Sequence, residues 1–249
     1  MPSPIAPSIS QNGRIEPFEL QVGRSQIYGH ADVNVQGYNI SHGITFRAVW
    51  ELSNTNDFVY PASLVPMNFT STLAETVTMR VDGLDENYKI KTAVVTFTAS
   101  TTGVVTTGTA DFFRIKAIQI TKGTSVGNIT AANGGIVYSQ INAGTGRSQA
   151  SIYTVPLGYT FYLDRAQAFT TNNGAQFCTY RVWSRIFNAG VSTVNVVLNA
   201  PFTQFYSSTR IVPRPYVEKT DIQWQLMQSN AAPGSIQLEG ILIKNDGTL

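Results

Sequence analysis

Two histidines and one cysteine are the residues best suited to metal binding or nucleophilic catalysis in this 249-residue chain. A zinc site needs three or four such ligands at close spacing, whereas Cys178 lies far in sequence from His30 and His42. A cysteine nucleophile needs a nearby base, and a single cysteine cannot form an intrachain disulfide. We therefore expect a buried Cys178, two histidines in polar loops and no zinc.

The densest group of acidic residues suggests a calcium site as one possibility. Asp82, Asp85 and Glu86 lie within one short segment that also contains Gly83. A dedicated calcium loop supplies oxygen ligands at alternating positions, and this segment does not. An Asp-Gly pair readily adopts the positive φ of a tight turn. A solvated β-turn is thus the favoured interpretation, with bound calcium as the alternative.

Hydrolytic chemistry has no clear sequence signature here. Two carboxylates held about 5 to 9 Å apart can hydrolyse a glycoside, and Glu51, Asp57 and Asp164 are the candidates. No Gly-x-Ser-x-Gly elbow and no phosphate-binding glycine loop followed by a helix is present. We expect no catalytic, cofactor-binding or metal-binding residues.

Aromatic residues near residue 201 form a candidate interaction site. Trp50, Trp183 and Trp224 lie in predicted strands and are expected in the core. A loop-like stretch around Pro201 instead carries three aromatic residues that could anchor a protein interface, stack on a sugar ring or pack locally: Phe202, Phe205 and Tyr206.

The elements that position these residues are predicted to be strands. From about residue 24, short alternating apolar runs are separated by Gly, Asn, Asp and Pro every 8 to 12 residues, which is typical of all-β proteins. We predict two tandem antiparallel β-sandwiches of jelly-roll type, covering residues 23–122 and 126–249. One continuous large sandwich is the alternative. The prolines at 213 and 215 predict an edge strand or loop over 211–216.

Composition indicates a subunit of a larger assembly. Only 13% of residues are charged and the net charge is +2, against roughly 25% charged residues in an average domain. This excludes nucleic-acid binding through bulk charge. No run approaches 18 apolar residues, and the first residues have no basic region followed by an apolar stretch, so we expect neither a membrane span nor a signal peptide. A weakly charged surface gives little electrostatic protection against association.

Residues 1–22 are predicted to form an extended N-terminal arm. This segment is rich in proline and has few apolar residues, so it cannot bury enough surface to offset its own ordering entropy. Either the segment is disordered or it lies along a neighbouring subunit, which is then its expected partner. The expected anchors are its large apolar side chains, Ile5, Ile9, Ile15 and Phe18.

Several stretches together resemble a known group of proteins. They are IYGH at 27–30, VQGY at 35–38, VDGLDENY at 81–88, FFRI at 112–115, VGNIT at 126–130 and QASIYTVPLG at 149–158. In this order they are similar to virion structural proteins of tailed phages of the marine and cyanobacterial type, a poorly characterised group. That group has Ala where this chain has Leu157, and it has no established active site.

The resemblance implies a structural role in a virion. We expect a non-enzymatic capsid decoration (cement) protein or head–tail accessory subunit that stabilises the particle through subunit interfaces. Its expected partners are copies of itself, with a trimer as the assumed oligomer, and virion proteins such as the major capsid protein. The expected location is the virion, assembled in the bacterial cytoplasm. A tail- or fibre-associated module that binds a host receptor or glycan is the alternative, and a glycan-degrading enzyme is a third.

Overall fold

Strands form nearly all of the regular structure in the computed structural model, which describes residues 17–171, 177–188 and 191–245. Within these ranges the one helix is α1 (Phe18–Gly23). The strands in chain order are β1 (His30–His42), β2 (Arg47–Ala48), β3 (Val65–Pro66), β4 (Asn68–Leu84), β5 (Ile90–Thr102), β6 (Val104–Thr107), β7 (Asp111–Phe112), β8 (Arg114–Lys122), β9 (Ile129–Asn133), β10 (Ile136–Ile141), β11 (Ile152–Thr154), β12 (Tyr159–Thr170), β13 (Cys178–Asn188), β14 (Val191–Phe202), β15 (Phe205–Tyr216), β16 (Thr220–Gln228) and β17 (Ala232–Lys244). The prediction of an all-β, sandwich-type fold is confirmed.

Two sheets pack face to face around one core. The first sheet has the order β1-β17-β12-β15, and the second has the order β11-β16-β13-β14, with β2 beside β16. Residues of β17 alternate between buried and partly exposed, as a strand with one covered face requires. The buried set includes Phe161 and Leu238 from the first sheet and Tyr180 and Trp224 from the second.

A third sheet surrounds a separate core. Its order is β10-β9-β4-β5-β6, and β8 also pairs with β4. The long strand β4 pairs with β9 near its start and with β8 near its end. Met79, Phe97 and Ile118 are among the side chains that fill this core.

The strand pairing corrects the predicted division of the chain near residues 122–126. Strand β1, assigned to the first sandwich, pairs with β17 at the other end of the chain, with Val35 opposite Leu238. Strand β9, assigned to the second sandwich, pairs with β4, with Phe69 opposite Ala131. Alternation of apolar residues shows which face of a strand is buried, but it does not specify the partner strand.

The predicted arm also requires a correction at its end. Residues 1–16, including Ile5, Ile9 and Ile15, lie outside the described residues. The chain from Phe18 to Gly23 is the helix α1 rather than extended. Pro17 precedes the helix, a position where its missing N–H costs no intrahelical bond. Val22 is buried, so this turn of helix belongs to the folded body.

Candidate functional site

His42 and Cys178 are both buried, so the prediction that both histidines lie in polar loops is wrong for His42, the last residue of β1. His42 is buried at the end of β1, with Nδ1 2.9 Å from Ser53 Oγ and Nε2 2.8 Å from the Leu226 carbonyl oxygen. Burial lowers its pKa. Cys178 is buried at the start of β13. Among the described residues, no group of three His, Cys, Asp or Glu side chains is arranged to hold a metal ion.

The acidic turn uses its carboxylates internally. Asp85 Oδ1 accepts hydrogen bonds from the backbone N–H groups of Asn87 at 2.8 Å and Lys89 at 2.9 Å. Asp82 accepts from Arg80 at 2.9 Å and from Thr92 at 3.1 Å. Asp82 and Gly83 lie within β4 and Gly83 has no positive φ, so the turn lies later than the Asp-Gly pair predicted, at 85–88, where the bonds to Asp85 fix the connection between β4 and β5.

Asp164 lies apart from the other two carboxylates considered for glycoside hydrolysis. It is on the outer face of the first sheet, in a cavity of about 290 Å³ that does not include Glu51 or Asp57. Glu51 and Asp57 both lie in the connection between β2 and β3. Glu51 is buried, the Gln149 N–H donates to its Oε1, and burial raises its pKa to about 8. Asp57 pairs with Arg47 at 2.7 Å, so its carboxylate is engaged by an arginine.

A buried charged cluster surrounds Asp221 in β16. Its carboxylate accepts hydrogen bonds from Arg114, from Thr154 at 2.6 Å and from Arg185 at 3.0 Å. Tyr60 donates its hydroxyl to the Ile222 carbonyl oxygen at 2.8 Å, and burial together with Asp221 raises its pKa well above the usual value. Both oxygens of the Asp221 carboxylate are therefore hydrogen-bonded to protein groups. The cluster links β16 to β8, β11 and β13.

The three aromatic residues near Pro201 separate into two environments. Phe202 and Tyr206 are partly buried against the core of the first two sheets, and the Tyr206 ring stacks on Tyr180 at 5.0 Å between centroids. Phe205 is half exposed and contacts the ring of Phe169 at 4.8 Å. Of these three aromatic residues, Phe205 is therefore the exposed interface candidate.

The predicted anchor Phe18 lies on α1 and is also partly exposed. Its ring meets His30 edge to face at 5.7 Å. It lines the 290 Å³ cavity on the outer face of the first sheet, together with Val22 and Tyr162. Phe18 thus contributes to the surface of the folded body.

Strand β15 presents an exposed apolar protrusion. It is an end strand of the first sheet, and residues 210–213 bulge opposite the single residue Asp164. The side chain of Ile211 is 102% exposed and that of Val212 is 79% exposed. We call the group Phe169, Phe205, Ile211 and Val212 the β15 edge.

Sequence reasoning anticipated only part of this surface. The prolines at 213 and 215 predicted an edge strand or a loop, and among the described strands β15 is at the end of its sheet. Nothing in the local pattern distinguished Ile211 and Val212 from core residues, because a four-residue bulge depends on the pairing with β12.

The described residues contain no helix long and apolar enough to cross a membrane.

Comparisons with known proteins give no family assignment. No family model and no curated protein matches the chain. It is similar to a chain of the structure of infectious bursal disease virus Gt strain, with 12% identity, 94% of this chain and 79% of that chain covered, and a TM-score of 0.21. For the Gx strain the identity is 13%, the coverage 88% and 71%, and the TM-score 0.20. Scores this low support no conclusion about fold or function.

Proposed function

We propose that this chain is a non-enzymatic structural protein of a tailed-phage virion, acting as a capsid decoration or head–tail accessory subunit. The observation that supports it most directly is the β15 edge, where apolar side chains protrude from an end strand. Its partners in this proposal are copies of itself, as a trimer, and the major capsid protein.

Among the described residues β15 has a neighbouring strand on one side only, and an edge of this kind is suited to assembly because open edges pair with other chains. The bulge at 210–213 interrupts regular strand pairing, but it carries Ile211 and Val212 outward into solvent. A contact at this edge would therefore form through apolar side chains. Burying one such side chain stabilises a contact by about 1.5–3 kcal/mol. A virion repeats each contact many times, so a modest interface suffices.

The phage assignment rests on the resemblance of the sequence stretches, and the fold gives those stretches structural roles. The segment at 81–88 forms the end of β4 and its turn. The segment at 149–158 supplies Tyr153 to the core and Thr154 to the Asp221 cluster. Stretches that determine packing are what a group of structural proteins would be expected to share.

The alternative is a glycan-binding module of the tail or fibre. The Phe169 and Phe205 rings lie together and are both partly exposed, and aromatic faces of this kind can stack on sugars. The protruding Ile211 and Val212 have no such use, which is why assembly is the preferred function.

Labelling of intact particles tests the proposal. Antibody against the chain, detected by electron microscopy on purified particles of the phage that encodes it, should bind at regular positions on the head or neck. Label confined to tail or fibre tips would favour glycan binding. Absence of the chain from particles by mass spectrometry would reject both.

A further inference from the structure

A cleft of about 430 Å³ lies where the two cores meet. We call it the β1–β8 cleft; its walls come from β1, from β4, from β8 and from the segment at 147–153. Small-molecule sites commonly have volumes of 300–1,000 Å³. Among the described residues β1 pairs with β17 alone, and its residues 32–36 line this space.

A β-bulge places Lys116 at this cleft. In the pairing of β4 with β8, Asp82 lies opposite Ala117 and Gly83 lies opposite Ile115, so no residue of β4 lies opposite Lys116. Bulges redirect side chains and often occur beside functional sites. A Cβ on Gly83 would collide with the Arg114 carbonyl oxygen, so the close approach of β8 depends on glycine here.

The side chain of Lys116 packs against a buried tyrosine at the wall of the cleft. Its Nζ lies 3.3 Å from the Tyr153 hydroxyl and 4.5 Å from the centre of that ring. Tyr153 is itself buried. Burial lowers the pKa of Lys116 to about 8, an effect that Asp82 partly opposes. A buried ammonium is costly unless an anion accompanies it.

Asp82 acts on Lys116 electrostatically, but no carboxylate around the cleft forms a described ion pair with it. Asp82 is bonded to Arg80 and Thr92, and among the described ion pairs none joins a carboxylate to Lys116. Asp32 is the other acidic residue of the wall. Arg147 supplies a second cation and donates to the Asn34 carbonyl oxygen at 3.4 Å.

We propose that the β1–β8 cleft binds a small organic oxyanion, with Lys116 and Arg147 contacting its carboxylate or phosphate group. Asp32, Asn34 and Gln36 line the same space, and their polar groups would form hydrogen bonds with the hydroxyl groups of such a ligand. The proposal does not depend on assembly into a virion.

Pyridoxal 5′-phosphate is a suitable probe because it joins a phosphate to an aldehyde. The Lys116 amine would form a C=N bond with the aldehyde carbon and release water, and added borohydride would reduce this bond to a stable secondary amine. Peptide mass spectrometry then reports labelling at each lysine. Lys122, exposed on the same strand, is the internal control.

At pH 7.5 Lys116 should be labelled at least about 10-fold faster than Lys122, because the cleft holds the aldehyde beside Lys116 and its lowered pKa leaves part of its amine unprotonated. Inorganic phosphate or glucuronate should slow this reaction, and the effective competitor identifies phosphate or carboxylate as the preferred group. Calorimetry with that anion should show at least about 10-fold weaker binding in Lys116→Met, weaker binding in Arg147→Gln and no change in Lys122→Met. Equal labelling of the two lysines, or fast labelling that neither anion slows, would overturn the proposal. Both outcomes are measured on the wild-type protein and so do not depend on whether a variant folds.

Discussion

Arg114 of β8 and Asp221 of β16 form a buried, two-pronged ion pair between the two cores. Nε and Nη2 of Arg114 each donate to one carboxylate oxygen of Asp221 at 2.9 Å. The side chains are 2% and 0% exposed. Nη1 of Arg114 also donates to the carbonyl oxygens of Pro61 and Phe113 at 2.8 Å. The third sheet is thereby attached to the second by bonds that water does not screen.

Loss of one partner from this pair should strongly destabilise the protein. Arg114→Met leaves Asp221 buried with less compensation, and we expect a loss of about 3–5 kcal/mol in the free energy of unfolding, measured with urea. Arg80→Met, which breaks the exposed pair with Asp82, should cost at most about 1 kcal/mol. Equal losses in the two variants would show that the buried pair has no special role.

Glu51 should make the protein less stable as the pH rises. Burial raises the pKa of the folded-state carboxyl to about 8, so the folded protein retains a proton that the unfolded chain releases above its ordinary pKa, about 4.3. The contribution of the protonated Glu51 carboxyl to the free energy of unfolding is therefore complete below the unfolded-state pKa. It is lost as the pH rises towards 8, by up to about 1.4 kcal/mol per pH unit.

Glu51→Gln isolates this contribution, because its amide oxygen can still accept the Gln149 N–H. Urea unfolding of both proteins at pH 5, 6, 7 and 8 measures the difference. The variant should gain stability relative to the wild type as the pH increases. Parallel curves would mean that Glu51 has an ordinary pKa in the folded protein.

The β15 edge should control self-association. Replacing Ile211 and Val212 with Asp places two charges where apolar groups would be buried, and we expect association at least about 100-fold weaker, or about 2.7 kcal/mol. Analytical ultracentrifugation measures the oligomer, and circular dichroism checks the fold. Val104→Asp, at an exposed position on β6, is the matched control. A wild-type protein that is monomeric at all concentrations would contradict this role.

Removal of the first 16 residues should affect incorporation into particles and not folding. The deletion stops before α1 because Val22 is buried in the folded body. We expect an unchanged midpoint of urea unfolding and fewer copies per particle, counted by quantitative mass spectrometry. Wild-type copy number together with unchanged heat resistance of the particles would show that these residues are not an assembly element.

The all-β class could be read from the sequence because it is a local property. Branched and aromatic residues favour extended backbone, and the turn at Asp85 and the edge strand at Pro213 each follow from a few neighbouring residues. The interface candidates were harder to predict. Phe202 and Tyr206 pack on the core while Phe205 is exposed, and this difference depends on which sheet covers each face.

The tertiary structure alone decided how the strands combine. His30–His42 pairs with Ala232–Lys244 across most of the chain, and the bulge that directs Lys116 exists only in the pairing of β8 with β4. Arg114 and Asp221 are 107 residues apart, and neither residue type indicates its partner. The alternation within a strand specifies its buried face, whereas its neighbour is selected by the packing free energy of the whole assembly of strands.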